Sequence, residues 1–133
     1  MENGKNSTEI YQTDDSLVTF HISYSSKNFS TGILLLKPGV ILPKHNRPNA
    51  VENLTQIAGK CLMKLFDENN KPIDYEVDPG EGIRMPKGQY HIHSNPYHEN
   101  SITLWMAEGD ITGIIENIRN MNKKIISNLP KNL

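Results

Sequence analysis

The chain has 133 residues, enough for one domain with a single sizeable core. Its 14 Lys and Arg offset 15 Asp and Glu, which argues against a general polyanion-binding surface and hence against a nucleic-acid partner. No apolar run approaches the roughly 20 residues of a membrane span, and the polar opening MENGKNSTEIYQTDD has no apolar signal core, so the expectation is a cytoplasmic protein with no membrane partner.

In chain order, residues 1–15 read as a flexible leader, low in apolar content. Residues 16–109 then alternate short β-type runs with turn residues. LVTFHISY (17–24) is rich in β-branched and aromatic side chains. TGILLLKPG (31–39) is a buried strand closed by Pro-Gly, and VILPKHNR (40–47) is a further strand whose Pro43 marks an edge or bend. LTQIAGKCLMKLFD (54–67) is two strands pivoting at Gly59, DENNKP (67–72) is turn chemistry, and IDYEVD (73–78) alternates apolar and polar. GIRMP, QYHIHSN and SITLWMAE complete the series. Many short strands with Gly/Pro turns predict an antiparallel sandwich or barrel.

From residue 110 to 133 the period changes. Ile111, Ile114, Ile115, Ile118, Ile125, Ile126 and Leu129 fall mostly at three- and four-residue steps, the spacing of a helix with one apolar face. Asp110 or Thr112 is placed to cap its start, Lys123 and Lys124 suit its C-terminal dipole, and Pro130 stops it. That face needs cover, from the barrel itself or from a second subunit. Cys61, in an apolar strand, reads as a buried filler rather than a reactive thiol. Asn6, Asn28 and Asn53 head glycosylation sequons by chance in an asparagine-rich chain.

Two segments carry more than fold. Gly39 is followed after five residues by His45, then Arg47, Glu52 and Gly59; GEGIRMPKGQYHIHSNP supplies Gly80, Pro86, Gly88, His91 and Asn95. Residues two apart on a strand share a face, so His45 and Arg47 point one way, as do Gln89, His91 and His93. A polar cluster aimed inward must pair, bind an ion or line a wet cavity.

These two spacings, in this order, resemble the two motifs of the cupin superfamily over residues 31 to 108. The resemblance implies an all-β double-stranded β-helix, the cupin jelly-roll barrel, here with a C-terminal α-helix. It further implies a divalent transition metal, Fe, Mn, Ni or Zn, held by His45, Glu52 and His91. The family's second motif-one histidine is Arg47 in this chain, and a guanidinium cannot ligate a cation. Two readings follow. In one, the three ligands hold a metal with open positions, His93 moves protons and Arg47 holds an anionic group of a small-molecule substrate, for oxygenation or isomerisation. In the other, Arg47 pairs with Glu52 and the protein is a metal-free, non-catalytic dimerisation or ligand-binding module, as the similarity of EGIRMPKGQYHIHSN to the centromere protein C-type dimerisation cupin implies. Either way the expected assembly is a homodimer, by strand exchange or sheet extension. Single residues take plain roles: His21 structural, His98 solvated, Trp105 in core or interface, Tyr90 facing away from the pocket, and Lys44 and Lys87 at its mouth.

Overall fold

The computed structural model describes residues 8–125. Its elements are β1 (Glu9–Gln12), β2 (Val18–Ser25), β3 (Phe29–Leu36), β4 (Ala50–Ala58), β5 (Cys61–Phe66), β6 (Pro72–Val77), β7 (Gly82–Met85), β8 (His91–Ser94), β9 (Ser101–Gly109), α1 (Thr112–Met121) and β10 (Lys123–Ile125). They form a seven-stranded sheet in the order β10-β1-β2-β3-β9-β4-β7 and a three-stranded sheet in the order β6-β5-β8. Neighbours run antiparallel throughout. The arrangement is antiparallel and all-β as the turn spacing predicts, and it is the jelly roll that the resemblance implies, with one short helix after β9.

Period-two alternation builds the interior. β3 buries Ser30, Gly32, Leu34 and Leu36, while β5 buries Cys61, Met63 and Leu65. Trp105 on β9 packs against all three apolar clusters of the core and so joins them. Gly32 makes room for it. A Cβ there would lie 1.8 Å from the His21 carbonyl oxygen and 2.6 Å from the Trp105 ring. Gly59, at φ +63°, makes the pivot between β4 and β5.

Four expectations change. The leader is not unstructured over its whole length: residues 9–12 form β1, which pairs with β2 on one side and β10 on the other. The terminal helix is shorter than its periodicity predicts. It ends at Met121, Asn122 is extended, and Lys123–Ile125 leave helical geometry to pair with β1. Ile126, Leu129 and Pro130 lie outside the described residues. Strand pairing wins there because Arg119, in the last turn, is clamped to Glu9 of β1 at 2.8 Å, which brings the chain to that edge. Neither predicted residue caps the helix start: Ile111 occupies the N-cap without a side-chain bond, and Asp110 instead accepts from the Thr112 amide and hydroxyl. Last, residues 40–47 are not a regular strand. They meet β8 through bridges at Ile41 and His45 on either side of Pro43, which has no N–H to give.

Cys61 is 1 % exposed, and burial pushes its thiol up to about 12. Native protein is expected to leave an aromatic disulfide reagent unreacted, with one thiol released on unfolding; rapid native labelling would contradict this burial. Gly32→Ala is expected to cost about 2–3 kcal/mol or more in urea denaturation, because backbone, not a flexible side chain, blocks the added methyl.

A pocket of imidazoles and one ion pair inside the barrel

β4 buries Ala50, Glu52, Leu54 and Gln56 by strict alternation, which turns the Glu52 carboxylate inward. β8 buries His91 and His93 the same way. The turn before β8 is closed by Gln89 N–H to the Pro86 carbonyl, with Gly88 at φ +81°. It is also tied to the segment that bears the other half of the site: Gly88 N–H donates to the Arg47 carbonyl at 3.0 Å, and Asn46 Nδ2 donates to the Gly88 carbonyl at 3.2 Å. Further along, His45 and His91 exchange both backbone hydrogen bonds, at 3.0 and 2.9 Å. Asn95 is a brace rather than a ligand group: its Nδ2 donates to the carbonyls of Leu36 and Glu99, and its Oδ1 accepts from Tyr97 N–H.

These elements enclose a cavity of about 80 Å³ that His45, Arg47, Glu52, His91 and His93 share. The rings of His45 and His91 meet edge to face with centroids 4.3 Å apart. His45 Nδ1 lies 2.8 Å from the Pro43 carbonyl and His91 Nδ1 lies 3.1 Å from the Gln89 carbonyl. A carbonyl only accepts, so each Nδ1 carries the proton and each Nε2 is the free nitrogen. Arg47 Nε stands 2.8 Å from Glu52 Oε1. The approach is off-axis, making an ion pair without an aligned hydrogen bond. Among the described residues, the buried side-chain polar atoms with no hydrogen-bond partner are Arg47 Nε and His93 Nε2, and both residues line this cavity.

Burial sets the charge state. Desolvation, helped by the Arg47 charge, holds the His45 imidazole down at about 4. Desolvation and the neighbouring histidines hold His93 at about 3, and His91 is lowered mainly by burial. All three rings are therefore neutral at pH 7.

The opposite wall was missed in the sequence as a part of the site. Ile111, Ile114, Ile115 and Ile118, from α1 and the residue before it, line the cavity together with Phe20, Leu34 and Trp105. The helical isoleucine spacing signalled a covered face, but not that the cover would be the barrel mouth. Lys44 is not at that mouth: its Nζ lies 3.8 Å from the Phe66 ring centroid and bonds Asn70, outside the cavity. Lys87 sits near Phe66 and Tyr90 on the same outer surface. His98 and Tyr90 are exposed, as expected.

The donor set does not fit the metal that the motifs imply. Two imidazoles have the anchored geometry of metal ligands, but the carboxylate is held by a cation of the protein's own. A divalent ion on Glu52 would stand beside the guanidinium, and at about 5 Å a dication and a unit cation repel by roughly 6–7 kcal/mol at an effective dielectric near 20. Among the described residues no three His, Cys, Asp or Glu side chains are grouped to hold an ion.

No protein-family model matches the chain. It is 26 % identical over 80 residues to germin-like protein 3-7 of Oryza sativa subsp. japonica, covering 60 % of this chain and 34 % of that protein. It is 37 % identical over 60 residues to germin-like protein subfamily 3 member 2 of Arabidopsis thaliana, covering 45 % of this chain and 26 % of that one. The match thus spans about a third or less of these relatives. Among solved structures, KdgF from Halomonas sp. superposes with a TM-score of 0.66 at 12 % identity over 85 % of this chain and 96 % of its own. Recombinant oxalate oxidase in complex with glycolate gives 0.61 at 21 % identity over 69 % of this chain and 50 % of its own. With the barrel, both motifs in their order and these likenesses together, the chain has the cupin fold and resembles the germin-like proteins over part of its length.

Proposed function

We propose that this cupin binds a small molecule in its barrel without a metal, Arg47 having replaced a ligand and neutralised the carboxylate that would complete the site. One observation carries the reading: Arg47 Nε lies 2.8 Å from Glu52 Oε1 inside the cavity. Recombinant oxalate oxidase in complex with glycolate, similar in fold, supports a barrel of this kind taking a small molecule. The reading is of a binding protein. A second reading rests on the Nδ1 anchors of His45 and His91, which suit Fe, Mn, Ni or Zn if Arg47 swings away. We propose the homodimer expected from the sequence along the free edge of β6, where Ile73 and Tyr75 are half-exposed. Among the described residues no helix is long and apolar enough to cross a membrane.

Elemental analysis of untagged protein decides between the first two readings. The expected result is far less than one metal per chain, unchanged by chelators. Arg47→His removes the cation and adds a third imidazole, and is expected to tighten Zn or Mn binding by about 100-fold or more. Stoichiometric metal in the unmodified protein, lost in His45→Ala/His91→Ala, would support the second reading.

The neutral histidines also predict acid lability. Unfolded imidazoles take up protons below about 6.5, while folded His45 waits until about 4 and His93 until about 3. Between those limits the unfolded chain binds more protons, so stability falls as pH falls. The limiting slope is about 1 kcal/mol per pH unit for each fully buried ring, and less for His45, which is partly open to solvent. Urea midpoints are expected to drop steadily from pH 7 to pH 5; a flat profile would mean that the rings titrate normally.

A further inference from the structure

β9 carries its polarity inside out. Ser101 and Thr103 point into the barrel and are fully buried, whereas Ile102, Leu104 and Met106 point outward and stay partly exposed. Its neighbour β3 is apolar on both faces, with Leu34 and Leu36 inside and Ile33 and Leu35 outside. An antiparallel sheet with one face in water alternates apolar-in and polar-out, and apolar runs on both faces mark a sheet covered on both. The inner polar groups are satisfied, because Thr103 donates to Gln56 and Gln56 to Ser101. The outer apolar ones are not covered among the described residues: Ile33, Leu35, Ile102, Leu104 and Met106 belong to none of the three core clusters.

Strand register gathers these side chains into rows. Ile10, His21, Ile33, Leu104 and Thr55 lie side by side across five strands, and Thr19, Leu35 and Ile102 across three. Strands spaced about 4.8 Å apart and rising about 3.3 Å per residue make this face roughly 25 Å square, about 600 Å² in plane, close to the roughly 800 Å² per partner of a stable interface. Between Lys37, just past β3, and Glu108, near the end of β9, the two central strands present no ionised side chain outward. These two charges stand at opposite ends of the stripe, since Leu36 pairs with Ser101 and Phe29 with Glu108. Among the described residues neither is in an ion pair.

We infer that this face packs, sheet on sheet, against the same face of a second copy of the chain, about a two-fold axis lying across β3 and β9. Such an axis turns one copy end for end. The apolar rows then meet in the middle, and Lys37 of each copy comes over Glu108 of the other. Opposite charges at the two ends complement an inverted copy, and a lipid surface has no such directionality along the strands. The contact is separate from the β6-edge pairing proposed above, because β6 belongs to the other sheet.

Sedimentation equilibrium of the untagged full chain at tens of micromolar tests it. Leu104→Lys sets a charge at the centre of the face and is expected to halve the assembly mass while the far-ultraviolet spectrum stays unchanged. Should that variant misfold, the charges at the ends give a second reading. Lys37→Glu and Glu108→Lys are each expected to weaken association about tenfold, and the double variant to restore it. Tyr75→Asp at the β6 edge separates the two contacts. If Tyr75→Asp halves the mass and folded Leu104→Lys does not, the inference falls while the β6 pairing stands. A double variant no tighter than the single ones also overturns it, and a monomeric native chain overturns both contacts.

Discussion

The site depends on a short ladder between the irregular segment before β4 and the strand β8. His45 and His91 exchange two backbone hydrogen bonds, and flanking bonds run from Leu42 to His93 and from Asn95 to Val40. A one-residue slip in such pairing would turn His91 and His93 to the other face. The glycine turn reinforces the register, because the Gly88 amide is held by the carbonyl of Arg47. His45 and the ion pair from one motif and His91 and His93 from the other therefore occupy one hollow.

Within that hollow, charge is cancelled rather than displayed. Arg47 and Glu52 compensate each other, and burial keeps the three imidazoles unprotonated. The interior is thus a set of hydrogen-bonding groups beside an apolar wall.

α1 contributes as architecture and as chemistry. Ile115 is 1 % exposed, packed with Tyr11, Ile22 and Ile111, so the helix finds its apolar partner within its own chain. Its end is fixed by β1, through Arg119 to Glu9 and through the β1–β10 pairing. That coupling explains why the leader and the helix were both misread from composition. The four residues EIYQ are too short a run to stand out as a strand inside a polar opening, and a helical period continues past the point where another strand offers better hydrogen bonds.

What the sequence determined by itself was local and periodic. Alternation in β3, β4, β5 and β8 set which side chains face inward, and the glycines at 39, 59, 80 and 88 marked turns that the structure makes at positive φ. Motif spacing also singled out His45, Arg47, Glu52, His91 and His93, and it left open whether Arg47 would stand beside a metal or pair with Glu52. Tertiary structure decided the rest: the pairing of Arg47 with Glu52, the contact of His45 with His91, and the closure of the cavity by α1. Those outcomes depend on contacts between segments far apart in the chain, and no local pattern encodes the distance at which two distant side chains meet.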